Sequence, residues 1–170
     1  MENLQAGEAK SAGTVGGVCA LLRDESAVQF FTLGSASRGI SHRRWKIALP
    51  VDTPERYAFY PGADVIAFIE LRRVMCVPMS WGPSAVSSFR RNSYVGIEIH
   101  LRAMSDGGHH PAAQYPSIRY QRRGTDVSVS SPPSITSSRL AVVAIAESGD
   151  YLVVFDWKSA QVLFVRQLFL

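Results

Sequence analysis

The side chains best suited to chemistry are four histidines, His42, His100, His109 and His110, and two cysteines, Cys19 and Cys76. A zinc site needs several such groups converging on one point, with imidazole and thiolate at set spacings. His109 and His110 are adjacent, so in an extended chain they point to opposite faces and serve one metal poorly. Neither cysteine stands at a ligand spacing from them, and no metal site is expected. His100 lies in Ile97-Glu98-Ile99-His100-Leu101-Arg102, where alternation puts it on one face with Glu98 and Arg102. On a strand this is the ordinary setting of a cross-strand polar pair on a solvated face.

Nucleophilic and phosphate chemistry leave no mark either. Serine is abundant, yet no Gly-x-Ser-x-Gly elbow occurs and no Asp/His partner is set out by spacing. There is no Gly-x-Gly-x-x-Gly, and Gly16-Gly17 lacks the downstream lysine and helix of a phosphate cradle. The sequence therefore offers no catalytic, cofactor-binding or metal-ligating residue and implies no cofactor. A non-enzymatic role is expected.

The net charge is +4, and lysine occurs only at Lys10, Lys46 and Lys158, so the basic residues are mostly arginine. Arg43-Arg44, Arg72-Arg73, Arg90-Arg91 and Arg122-Arg123 could face phosphate, because guanidinium pairs bidentately with it. They are scattered pairs and not a tract, so solvated loop charge is the simpler reading and an RNA surface the alternative. Two thiols among apolar neighbours do not make a disulfide framework and fit reduced, buried cysteines. The polar start MENLQAGEAKSAGT lacks the features of a signal peptide, and no apolar run approaches a membrane span. An intracellular protein, cytoplasmic or nuclear, is expected, with no membrane partner.

The elements that would position any site are short strands. Arg139 to Val165 holds three apolar runs of strand length, broken by Glu-Ser-Gly-Asp and by Asp-Trp-Lys-Ser-Ala-Gln, as in an antiparallel meander. Along its second run Tyr151, Val153, Phe155 and Trp157 share one face, which predicts packing between sheets. Asp64 to Glu70 is apolar on both faces, with Val65, Ala67 and Ile69 opposite Ile66 and Phe68; such a strand is buried on both sides. Leu140 to Ile145 has the same character. Val18 to Leu22, Ala27 to Leu33 and Trp45 to Leu49 give an earlier set. No helical periodicity persists for three turns, so the fold is expected to be all-β.

These modules predict a partial β-propeller of about three antiparallel blades, near 15–50, 57–113 and 135–170, in one domain over 15–170. Residues 1–14 read as a disordered lead-in. Two long irregular inserts interrupt the pattern, at 72–94 and 121–138. The first is apolar and aperiodic between two regular strands, as retained non-coding sequence would be. The second is rich in serine, with Pro132-Pro133, as an exposed loop would be. Asp156-Trp157 carries the Trp-Asp pair of such repeats in reversed order, and a structural role in its turn is expected.

Asp64-Val65-Ile66-Ala67-Phe68-Ile69-Glu70, then Glu98-Ile99-His100-Leu101-Arg102-Ala103-Met104-Ser105 and His110-Pro111-Ala112-Ala113, resemble the propeller-like region of F-box proteins of mushroom-forming fungi. Leu152-Val153-Val154-Phe155-Asp156-Trp157-Lys158-Ser159 resembles a strand end of the same family. Together the matches span about half the chain. The resemblance implies a WD-repeat-like propeller that presents loops to a protein partner as the substrate-facing part of a ubiquitin-ligase adaptor. The family's helical Leu-Pro-x-Glu-Leu-Leu segment has no counterpart in residues 1–17. Three blades make an open arc, so a fragment of a longer protein, or a shortened product without independent function, is a further expectation.

Overall fold

The computed structural model describes residues 11–22, 26–32, 34, 37, 39, 41–52, 54–75, 93–123, 127–146 and 149–168. The described residues form three antiparallel sheets and no α-helix, and none of the sheets closes on itself. The first sheet runs β1 (Ser11–Val15), β2 (Val18–Leu22), β3 (Ala27–Thr32) and β4 (Arg44–Ala48), in chain order. The second runs β5 (Arg56–Tyr60), β6 (Val65–Met75), β7 (Ser93–Ala103) and β8 (Ser117–Arg123). The third contains β9 (Val127–Val129), β10 (Ser134–Ile135), β11 (Arg139–Ala146), β12 (Gly149–Asp156) and β13 (Gln161–Leu168). Both β9 and β10 pair with β11, at its two ends, so they act as one interrupted edge strand.

Side-chain alternation turns each sheet into a layer with two faces. Val18, Ala20 and Leu22 of β2, Val28 and Phe30 of β3 and Ile47 of β4 pack on Tyr57, Phe59, Ile66 and Phe68 of the second sheet. The opposite face of that sheet, with Ala67, Ile69, Ile97, Ile99 and Leu101, packs on Leu140, Val142, Val153, Phe155 and Trp157 of the third. The second sheet is thus the shared middle layer. As its alternation predicts, β6 divides cleanly: Val65, Ala67 and Ile69 join one core, Ile66 and Phe68 the other.

Two turns show why the chain reverses where it does. Gly16 and Gly17 both have positive φ, 57° and 78°, as the two central residues of a tight hairpin with right-handed twist require. At the other end of the chain, the Asp156 carboxylate accepts the amides of Lys158 (2.9 Å) and Ser159 (3.1 Å) and so holds the β12–β13 turn. The expected structural role of Asp156 is this one. Trp157 is fully buried in the core with Tyr151, Val153 and Phe155, also as expected.

Several boundaries differ from the sequence expectation. Residues 11–14, expected to be disordered, belong to β1, which pairs with β2 through every residue. The first module gains β1, and the second gains β5 and β8, strands that the sequence reading did not mark. The insert at 72–94 is strand at both ends, since β6 and β7 pair as far as Met75 opposite Ser93; the rest of it, with Cys76 and Arg90-Arg91, lies outside the described residues. The insert at 121–138 supplies the end of β8 and both edge strands of the third sheet. Leu140 to Ile145 is covered on one face only: Leu140, Val142 and Ala144 are buried, while Ile145 is 40% exposed. Cys19 is a free, half-buried thiol and not a buried one.

Candidate functional site

Two places gather functional groups, one on a sheet face and one at the sheet edges. The first follows from register. β6 and β7 pair so that Glu70 stands opposite Glu98, with Ile69 opposite Ile99. Two carboxylates facing each other repel unless cations intervene. Arg72, one alternation further along β6, provides one: its Nε is 3.1 Å from Glu70 Oε1 and 2.9 Å from Glu98 Oε2. Arg119 of β8 provides the other, with Nε donating to Glu98 Oε1 at 3.0 Å, and Ser117 Oγ donates to the same oxygen at 3.2 Å. His100 reaches diagonally across to Glu70, with Nε2 donating to Oε2 at 3.1 Å.

The electrostatics follow. Burial pushes the Glu70 carboxyl up, but hydrogen bonds from Arg72 and His100, helped by their charges, outweigh it and hold the group below the ordinary carboxylate range. The hydrogen bond to Glu70 raises the Arg72 guanidinium in return, against a smaller opposing effect of desolvation. Glu98 is buried and not solvated, which corrects the expectation of a solvent-facing Glu98-His100-Arg102 row. Its Oε2 lacks a hydrogen bond, and its contact with Arg72 is coulombic.

Among the described residues Glu70, Glu98 and His100 form one group of metal-ligand type, with ligand atoms within 4.8 Å of one another. Sequence reasoning missed it, because Glu70 and Glu98 are 28 positions apart and only the register brings them together. The donor set does not fit a cation as it stands. Arg72 already lies between the two carboxylates, and with Arg119 it cancels their charge. A shallow hollow of about 130 Å³ beside Arg72, Glu98, Arg119 and Gln121 is flanked by those guanidiniums.

The other histidines are dispersed. His42 and His109 are exposed, and His109 bridges to Arg102 by its backbone alone. His110 is buried and braces the joint of the second and third sheets. Its Nε2 donates to the Ala63 carbonyl at 2.8 Å, its Nδ1 accepts from the Ala112 amide at 3.1 Å, and its ring meets Trp157 edge-on at 4.9 Å. Trp157 in turn donates Nε1–H to the Thr136 carbonyl at 3.0 Å. Of the arginine pairs, Arg90-Arg91 lies outside the described residues, and the register sets Arg73 and Arg122 on either side of Val95 at one end of the second sheet. Arg43 lies over the Trp45 ring at 5.0 Å, whereas Arg72 is committed to carboxylates.

The second place is a cleft of about 840 Å³ where the first strands of all three sheets meet. Its walls are Ala12 to Val15 of β1, Arg56 to Tyr60 of β5, and Ser130 with Pro132 to Ile135 around β10. Each wall is a strand at the edge of its sheet. Edge strands direct half of their backbone N–H and C=O groups away from the sheet, so the cleft combines backbone hydrogen-bonding groups with Val15, Tyr60 and the exposed cation Arg56. No helix among the described residues is long and apolar enough to cross a membrane. No protein-family model matches the chain, and no curated protein or solved structure matches it.

Proposed function

We propose that the chain is a non-enzymatic protein-interaction module: a partial β-propeller that presents the cleft between its first strands, and the loops around it, to a protein partner. The observation that supports this most directly is the convergence of β1, β5 and β10 on one cleft. Successive four-stranded meanders that stack face to face, with their first strands toward a common axis, are how propeller blades are arranged. Strand edges and a mixed polar and apolar lining suit an extended polypeptide segment. The resemblance to the propeller region of F-box proteins of mushroom-forming fungi makes a ubiquitin-ligase adaptor the natural context, with this chain as its recognition part.

The internal pairing of Arg72 and Arg119 with Glu70 and Glu98 disfavours the RNA-binding alternative, since those guanidiniums are already engaged. Affinity purification from a fungal extract treated with nuclease tests the proposal. A protein partner retained by the natural chain and lost with both Arg56→Glu and Val15→Glu is the expected result. Both positions line the cleft and are exposed. Retention of nucleic acid with a steep salt dependence, or a partner indifferent to both substitutions, would overturn it.

A further inference from the structure

The cleft where the first strands meet has a lining that only strand edges produce. Ala12 to Val15 of β1 and Arg56 to Tyr60 of β5 line it as consecutive residues, whereas a sheet face presents alternate ones. On β1 the free backbone groups can be assigned. Gly16-Gly17 is a two-residue turn, which makes Val15 and Val18 a hydrogen-bonded pair. By alternation, Ala12 and Thr14 direct their N–H and C=O away from β2, toward the cleft. Their side chains are small and exposed, so nothing bulky on β1 shields those groups. The β5 wall differs, since Tyr57, Ala58 and Phe59 are buried. Gly13 keeps the two walls close: a Cβ there would stand 3.2 Å from the Phe59 ring.

The charge of the lining is one-sided. Arg56 is the one charged residue among the described residues that line the cleft. Its guanidinium donates to the neighbouring Glu55 carbonyl at 2.9 Å and has no carboxylate partner among the described residues. Alternation puts it on the third-sheet side of β5 with Ala58 and Tyr60, and Ser130 and Ser134 add hydroxyls to the same lining. Resting on the reading of the cleft as a polypeptide site, we infer that its occupant is an extended acidic segment. The segment adds to β1 as a further strand of the first sheet, pairing with Ala12 and Thr14, and sets an Asp or Glu carboxylate against Arg56. Strand addition takes affinity from main-chain bonds and specificity from side chains. Here the specificity is the carboxylate–guanidinium pair. A basic segment would bring like charge against Arg56, with no acid in the described lining to offset it.

Panning a phage-displayed library of random heptapeptides on the full chain, then measuring the recovered peptides by fluorescence anisotropy, tests this. The expected binders carry Asp or Glu at one position, and the matching Asn or Gln peptide binds at least about fivefold more weakly. Arg56→Gln should weaken the acidic peptide to the same degree and abolish its advantage over the amide peptide. Ala12→Pro removes one free N–H without touching the bonds to β2, and should weaken both peptides at least about fivefold. Should that variant lose its β-sheet circular dichroism, peptides N-methylated at single backbone amides take its place, and at least one should lose binding by the same factor. Binders without acidic preference, a preference that survives Arg56→Gln, or indifference to the backbone changes would each overturn the inference. If Val15→Glu still abolished binding in those cases, the cleft would remain a polypeptide site. No binder at all, or binders untouched by Val15→Glu, would count against the cleft itself and overturn both.

Discussion

The β6–β7 ladder has two faces built from the same strands, and they differ sharply. Toward the third sheet the apolar row continues from Val65 through Ala67 to Ile69, with Ile97, Ile99 and Leu101 beside it. Toward the first sheet Ile66 and Phe68 are buried, but the next positions are Glu70 and Arg72, beside Glu98 and His100. The neighbouring sheets account for the difference. β11 and β12 are eight residues long, whereas β2 and β3 have five and six, against eleven in β6 and β7. The middle sheet overhangs the short one, and where no hydrophobic layer covers it an ion network does. What occupies a strand position thus depends on the length of the adjacent layer as well as on the strand itself.

The contrast can be broken most directly at two adjacent residues, Ile99 and Glu98, which point to opposite faces. Ile99→Ala should cost about 2–5 kcal/mol in urea unfolding, because Ile99 is fully buried and the cavity cannot collapse between two sheets. Glu98→Ala should cost less, about 1–3 kcal/mol. Its partners Arg72 and Arg119 are 50% and 68% exposed, so water can take over their solvation once the carboxylate is gone. If the order were reversed, the ion network and not the apolar face would be the anchor of the ladder. Glu98→Leu sharpens the question further. It should cost less than Glu98→Ala, since an apolar side chain fills the volume without a buried charge.

How much of this was legible in the sequence depends on where each signal resides. β6, β7 and Trp157 could be read because their patterns are local: an unbroken apolar run in β6, Ile and Leu alternating with polar residues in β7, and Trp157 in step with Tyr151, Val153 and Phe155. β1 could not, since Ser-Ala-Gly-Thr-Val has weak strand propensity and is placed by pairing with β2. β8 carries three arginines in Ser-Ile-Arg-Tyr-Gln-Arg-Arg, and only Ile118 and Tyr120 mark its inner face. β9 and β10 lie in a serine- and proline-rich stretch that composition marks as loop, until the edge of β11 recruits it. The ion network was illegible for a different reason: its members are ordinary surface residues until register sets Glu70 against Glu98.

A smaller effect tests the polar face by titration. The Glu70 carboxyl is held below the ordinary carboxylate range, so the folded state gains stability from it above that range and loses the gain as pH falls through the depressed value. The difference in stability between the natural chain and Glu70→Gln should therefore be constant near neutrality and shrink below about pH 4. A difference that grew on acidification would contradict the network. The smallest effect belongs to the first sheet's open face, where Arg44 is exposed. Arg44→Glu should change stability by no more than about 0.5 kcal/mol.

The chain-order arrangement of the sheets has a consequence for how the molecule is assembled. The first two sheets are meanders of consecutive strands, and in the third β9 and β10 both pair with β11, so pairing within each sheet joins neighbours in sequence and can form early. The joints between sheets span longer separations, as when Trp45 Nε1 donates to the Met104 carbonyl 59 residues away. During synthesis the aromatic face of the first sheet, with Phe30 stacked on Trp45, must wait for residues 56–104 before it is covered. The middle sheet is then the template on which both neighbours dock. A lesion in β6 or β7 should leave two hairpin assemblies with nothing to fold against, and a delay in their arrival would prolong the interval in which the nascent chain is most prone to aggregate.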